Sequence, residues 1–193
     1  MIQELLYGRT RCYLIDERLL VDTDWAGTLP AFFACLQEKG IPFDRIRYLL
    51  VTHYHPDHMG IAADLMERGV TLLLMDVQRG FVHQSDAVFR NDRRHRFTPI
   101  DESRAVCLTC AESREFLKGI GICGEVIPTP GHSDDSVTLI LDDERAAFVG
   151  DICPFEQVAY FHSPTLEASV RRIREMGVER VYYGHVPPET IAR

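Results

Sequence analysis

Four side chains able to bind a metal ion fall within six consecutive positions: His53, His55, Asp57 and His58, in the run Thr52-His53-Tyr54-His55-Pro56-Asp57-His58. With eight histidines in 193 residues, a His-x-His-x-Asp-His pattern arises by chance in about one chain in a thousand of this composition. Pro56 biases His55 toward extended backbone, and in an extended chain His53 and His55 point to the same side, so both can reach one ion. Beyond the proline a helical turn is expected, which projects Asp57 and His58 differently and suits them to a neighbouring ion.

Three more candidates share one local design, an apolar strand ended by glycine or proline and followed by a ligand-type side chain. Glu125 to Gly131 delivers His132, Ala146 to Gly150 delivers Asp151, and Val181 to Gly184 delivers His185. Together with His53 after Val51, four strand ends carry ligand types, and loops at a sheet edge commonly hold a site. Convergence of five histidines and two aspartates is therefore expected.

The elements that must position them read as strands mixed with helices. A hairpin is expected from Tyr13 to Ile15 and Leu19 to Val21, a helix from Leu29 to Lys39, and a strand from Ile46 to Thr52. A helix from Ile61 to Arg68 precedes a strand from Val70 to Met75, and a further helix is expected from Val77 to His83. Later come a helix from Ser113 to Lys118, strands at Ile122 to Ile127, Val137 to Leu141 and Ala146 to Val149, a helix from Leu166 to Met176 and a strand from Arg180 to Tyr183. The pattern implies an α/β or α+β chain, and with no repeat or linker a single domain over 1–193 is expected.

Composition narrows the function. Hydrophobic residues make up 46% and charged residues 26%, as in globular proteins, and the net charge of −8 argues against nucleic acid or a membrane surface as partner. No apolar stretch approaches the ~20 residues of a membrane span. The opening MIQELLYGRT lacks a basic, then apolar, secretory pattern, so a cytoplasmic location with six reduced cysteines is expected.

The ligand run closely resembles the metallo-β-lactamase superfamily, whose marker is the same His-x-His-x-Asp-His followed by His, Asp and His. Cys12 to Ile15, Leu20 to Thr23 and Thr129-Pro130-Gly131-His132-Ser133 extend the likeness over nearly the whole chain. The resemblance implies an α+β fold, an αββα sandwich of two mixed β-sheets flanked by helices. It further implies that His53, His55 and His132 hold one metal ion, that Asp57, His58 and His185 hold a second, and that Asp151 bridges them. Asp24 and Ile61 stand where the family often has glycine. Asp151 resembles the aspartate of glyoxalase II-like hydrolases, whereas zinc β-lactamases with a cysteine ligand differ there, so antibiotic hydrolysis is not expected.

A ligand set of nitrogen and oxygen suits two divalent ions, zinc by default, with iron or manganese compatible. Two such ions share a water, lower its pKa to about 7 and present a bridging hydroxide to a carbonyl, which makes the expected reaction hydrolysis of a small thioester, ester or lactone. Asp57 is the candidate catalytic group, orienting the nucleophile or passing a proton to the leaving group. Asp22 is a candidate to hold a ligating imidazole, with a simple turn aspartate as the alternative. Only Val186 to Arg193 follow the last ligand, which weakens the expectation of a glutathione thioester. The rival reaction class is that of persulfide dioxygenases in the same superfamily, which use one iron on what would here be His53, His132 and Asp151. A binding module without catalysis is the third option, disfavoured by the full ligand set.

Other features carry blander expectations. Cys107 and Cys110 read as buried thiols, and Arg90, Arg93, Arg94, His95 and Arg96 as a solvated loop paired with nearby acids. Tyr160 and Phe161 are expected to pack, as is Tyr54 beneath the metals, while His83 and His95 match no motif.

Overall fold

The computed structural model describes residues 1–92 and 94–191. The chain divides into two compact units, Met1–Cys107 and Leu108–Arg193. In the first, β1 (Ile2–Leu5), β2 (Cys12–Ile15), β3 (Leu19–Val21), β4 (Tyr48–Leu50), β5 (Thr71–Met75) and β6 (Val106–Leu108) form a sheet in that order. β2 and β3 are buried along their whole length, which is why they read as continuous apolar runs. The turn between them places Asp16 and Glu17 at φ 49 and 54, the left-handed pair that matches the twist of a hairpin, and Arg18 N donates to Ile15 O at 2.9 Å.

β3, β4 and β5 are parallel, with Val21 opposite Leu50 and Leu50 opposite Leu73, so helices must carry the chain back between them. α1 (Leu29–Glu38) makes the first crossing and buries Phe32, Cys35 and Leu36. α2 (Pro56–Met59) and α3 (Ala62–Glu67) make the second, and their buried faces join one core with Leu14, Leu20, Leu49 and Leu72.

In the second unit α5 (Ser113–Gly119) precedes β7 (Gly124–Pro128), β8 (Val137–Leu141) and β9 (Ala146–Phe148), with α6 (Pro164–Glu175) before β10 (Arg180–Tyr182) and β11 (Glu189–Thr190). The sheet order is β11-β10-β9-β8-β7, antiparallel except for the β9/β10 pair that α6 crosses between. Ser163 caps α6 by accepting from Leu166 N at 3.3 Å, and Leu166, Val170 and Ile173 form its buried stripe against Ile127, Ala147, Val149 and Val181. Two mixed sheets with flanking helices give the α+β class expected from the sequence.

One helix was misplaced by the sequence pattern. The expected helix from Val77 to His83 is a short 3-10 turn, Asp76–Gln78, and the helix of this region is α4 (Asp86–Asn91). The buried Gln78 amide explains the turn, because its Nε2 donates to Val51 O at 2.9 Å while its Oε1 accepts from Met75 N at 3.3 Å. Cys107 is exposed and Cys110 half-buried, which corrects the expectation of two buried thiols.

Phe32 is fully buried and meets the Tyr7, Phe33 and Phe43 rings edge-on at 5.2, 5.8 and 6.5 Å. Phe32→Ala should therefore lower the unfolding free energy by about 3–5 kcal/mol, read from denaturant midpoints, and a loss within error of zero would contradict this packing.

Candidate metal centre

In the first unit the geometry starts from a buried carboxylate. β3 ends at Val21, and Asp22 follows at φ 61, its N–H donating to Leu50 O at 2.9 Å. Its Oδ1 accepts from Thr52 N at 2.6 Å, and its Oδ2 accepts from Thr52 Oγ1 at 2.8 Å and lies 2.9 Å from His58 Nδ1. A carboxylate on Nδ1–H leaves His58 Nε2 as the ligating lone pair, the arrangement that orients metal-binding imidazoles. Asp22 thus holds a candidate ligand, and the turn-aspartate alternative is set aside.

His53 is 1% exposed, with Nδ1 3.2 Å from Thr52 Oγ1 and Nε2 3.1 Å from His55 Nδ1. Two nitrogens bound to one tetrahedral ion at 2.0–2.1 Å are separated by about 3.3 Å, so this spacing fits shared ligation. His55 is extended at ψ 153 and caps α2, and Asp57 and His58 lie on that helix, as expected. Thr10 Oγ1 donates to Asp57 O at 2.7 Å, tying the helix to the loop before β2. Tyr54 is fully buried in the core.

Gly60 ends α2 where a Cβ would stand 2.2 Å from Ala26 N and 2.4 Å from Trp25 C, so only glycine lets the loop after Asp22 pack there. Asp24 accepts from Thr10 N at 2.9 Å and Trp25 N at 2.6 Å and fastens that loop.

In the second unit three ligand candidates follow strand ends, as the sequence pattern anticipates. His132 follows β7 through Gly131, whose φ is 143 and whose Cβ would stand 2.7 Å from Leu166 Cα. Asp151 follows β9 through Gly150, and His185 follows β10 through Gly184. Gly184 N donates to Gly150 O at 2.8 Å, so the two turns are bonded to each other. Asp151 Oδ2 lies 3.6 Å from His132 Nε2 and 3.4 Å from His185 Nε2. Every candidate in both units offers nitrogen or oxygen, a donor set that fits zinc, iron or manganese. Burial pushes the Cys153 thiol above its ordinary value.

The remaining expectations divide. Arg94 Nε lies 2.9 Å from Asp92 Oδ1 and His95 Nδ1 3.2 Å from Asp92 Oδ2, paired with an acid as expected, whereas Arg90 belongs to the last turn of α4 rather than to a loop and Arg93 lies outside the described residues. His83 sits between Asp86 and Glu102 at 3.1 and 3.3 Å. Tyr160 and Phe161, expected to pack, are 79% and 60% exposed because Val158 is the buried residue of their 3-10 turn. Sequence pattern gives no cue to Gln78 or to Glu189, which accepts from Tyr183 Oη; both are polar residues recognisable only from their tertiary partners. Burial first, and then Glu189, raise the Tyr183 phenol well above its ordinary value, so it remains a donor.

A sequence profile of the metallo-beta-lactamase superfamily matches residues 7–185. The chain belongs to this superfamily. Among its relatives, a hydroxyacylglutathione hydrolase of Rhodopseudomonas palustris (strain BisA53) is 30% identical over 103 residues, 53% of this chain and 32% of that protein. The atrochrysone carboxyl ACP thioesterase AacuM of Aspergillus aculeatus is 25% identical over 150 residues, 74% of this chain and 39% of the relative. A crystal structure of a metallo-beta-lactamase family protein from Thermus thermophilus matches with a TM-score of 0.70 at 23% identity, over 98% of this chain and 74% of that one. The chain spans about a third to just over half the length of the curated relatives it matches. Among the described residues no helix is long and apolar enough to cross a membrane.

Asp22→Asn tests the anchor, because the amide turns a donor toward His58 Nδ1–H. The metal-free protein should still fold, and metal affinity should fall by roughly 10–100-fold in competition with a chromogenic chelator. Wild-type affinity in this variant would remove Asp22 from the site.

Proposed function

We propose that the two ligand sets form one dinuclear centre and that the protein hydrolyses a small thioester, ester or lactone. In this reading His53, His55 and His132 would hold one ion, Asp57, His58 and His185 would hold the other, and Asp151 would serve both. The observation that carries it is the single Asp151 oxygen flanked by His132 and His185 Nε2 at 3.6 and 3.4 Å, the position of a bridging ligand. The superfamily profile supports it by spanning all seven residues. Divalent ions bound there, by default zinc, would supply a water with a pKa lowered to about 7 and would polarise the substrate carbonyl.

The chain's own groups do the rest. Asp22 fixes the tautomer of His58, and Thr52 holds the Asp22 carboxylate in place through its backbone N–H and its hydroxyl. Asp57, on the first turn of α2, orients the nucleophile and passes its proton to the departing alkoxide or thiolate. The thioester preference is supported by relatives named as a thioesterase and a hydroxyacylglutathione hydrolase. Six free cysteines fit a reducing compartment, and we place the protein in the cytoplasm acting on a small molecule, with no nucleic-acid or membrane partner.

Asp151→Ala should lower both metal content and kcat/KM on a thioester, ester and lactone panel by more than the roughly 10–100-fold that follows loss of an outer hydrogen-bond partner, with an unchanged circular dichroism spectrum. Wild-type turnover and metal content in this variant would sink the assignment. One iron per chain with persulfide-dependent oxygen uptake would replace it by the dioxygenase reading.

A further inference from the structure

His185 sits in the connection of a short hairpin. β10 and β11 pair antiparallel, with Val181 opposite Glu189, and the chain between them runs through Tyr183, Gly184, His185 and two prolines. One oxygen of Glu189, Oε1, accepts from Tyr183 Oη, two residues before His185, and from Phe155 N at 3.5 Å, four residues after Asp151. The same two segments meet again where the Phe155 ring stands edge-on to Tyr183 at 6.3 Å and 89°, with the Arg174 guanidinium over Phe155 at 5.3 Å. Gly184 N also donates to Gly150 O at 2.8 Å. Along the chain Asp151 therefore lies between Gly150 and Phe155, and His185 between Gly184 and Glu189, so that the pair is bracketed by a front tie, the glycine pair, and a later one through Glu189.

We propose that Glu189 is a positioning residue for the ion that Asp151 and His185 share, setting the separation of these two ligands without touching the metal. The inference rests on the dinuclear reading above. The front tie is backbone to backbone and survives any side-chain change, so removing Glu189 loosens the pair rather than the sheet. Metal ligands held less firmly bind more weakly, by roughly 10–100-fold when an outer hydrogen-bond partner is lost.

The test is a stepwise Zn²⁺ titration of the full chain, stripped of metal, against a chromogenic chelator, in the wild type, Glu189→Ala, Glu189→Gln and Tyr183→Phe. In Glu189→Ala the dissociation constant of the ion that His185 holds should rise roughly 10–100-fold, while that of the other ion, which keeps His53, His55 and His132, should rise distinctly less. Glu189→Gln, whose amide oxygen still accepts, should restore most of the loss, and Tyr183→Phe should weaken the same ion if Glu189→Ala does not fold. Two ions bound by the wild type with both constants unchanged, or both raised by the same factor, in the variants would overturn the proposal alone. A wild type that binds fewer than two ions would overturn it together with the dinuclear reading.

Discussion

A buried carboxylate must find partners for its lone pairs, and in the first unit that requirement organises everything around the ligand run. Asp22 meets it with Thr52 N, Thr52 Oγ1 and His58 Nδ1, which fixes the ends of β3 and β4 against each other and against α2 in one step. Leaving one lone pair of such a buried acceptor unsatisfied typically costs about 1–3 kcal/mol, so alternative arrangements of this loop are disfavoured. The left-handed backbone of Asp22 and the absence of a side chain at Gly60 are local concessions to that geometry.

The second unit reaches the same end by backbone rather than by side chain. Parallel pairing of β9 and β10 carries Asp151 and His185 out of adjacent strand ends, and the bond between Gly150 and Gly184 continues the ladder one step past the strands. Loops that project such side chains would ordinarily be mobile, and here their bases are locked by sheet hydrogen bonds while the side chains of His185 and Asp151 remain partly exposed. A rigid base with an accessible ligand is what a catalytic ion needs, since binding groups must be pre-placed and one coordination position left open.

Much of this was legible in the residues. The density of the 53–58 run and the glycine or proline before each later ligand come from local geometry, which sequence records directly. β8 was readable to the residue because Val137 to Leu141 is apolar at every position but Thr138 and buried throughout. What escaped was set by distant partners. Gln78 turns the chain because it satisfies Val51 O, Glu189 matters because Tyr183 and Phe155 reach it, and a two-residue strand such as β11 has too little pattern to register. Tyr160 and Phe161 look like packing residues by composition, yet the 3-10 turn buries Val158 and leaves them outside.

The proposed function stands or falls on whether the chain binds two metal ions. Elemental analysis of the protein purified without chelator or metal-affinity tag tests it most directly. The account requires about two zinc or manganese ions per chain. A chain that retains no metal, or a single ion that a second equivalent does not join, would contradict it.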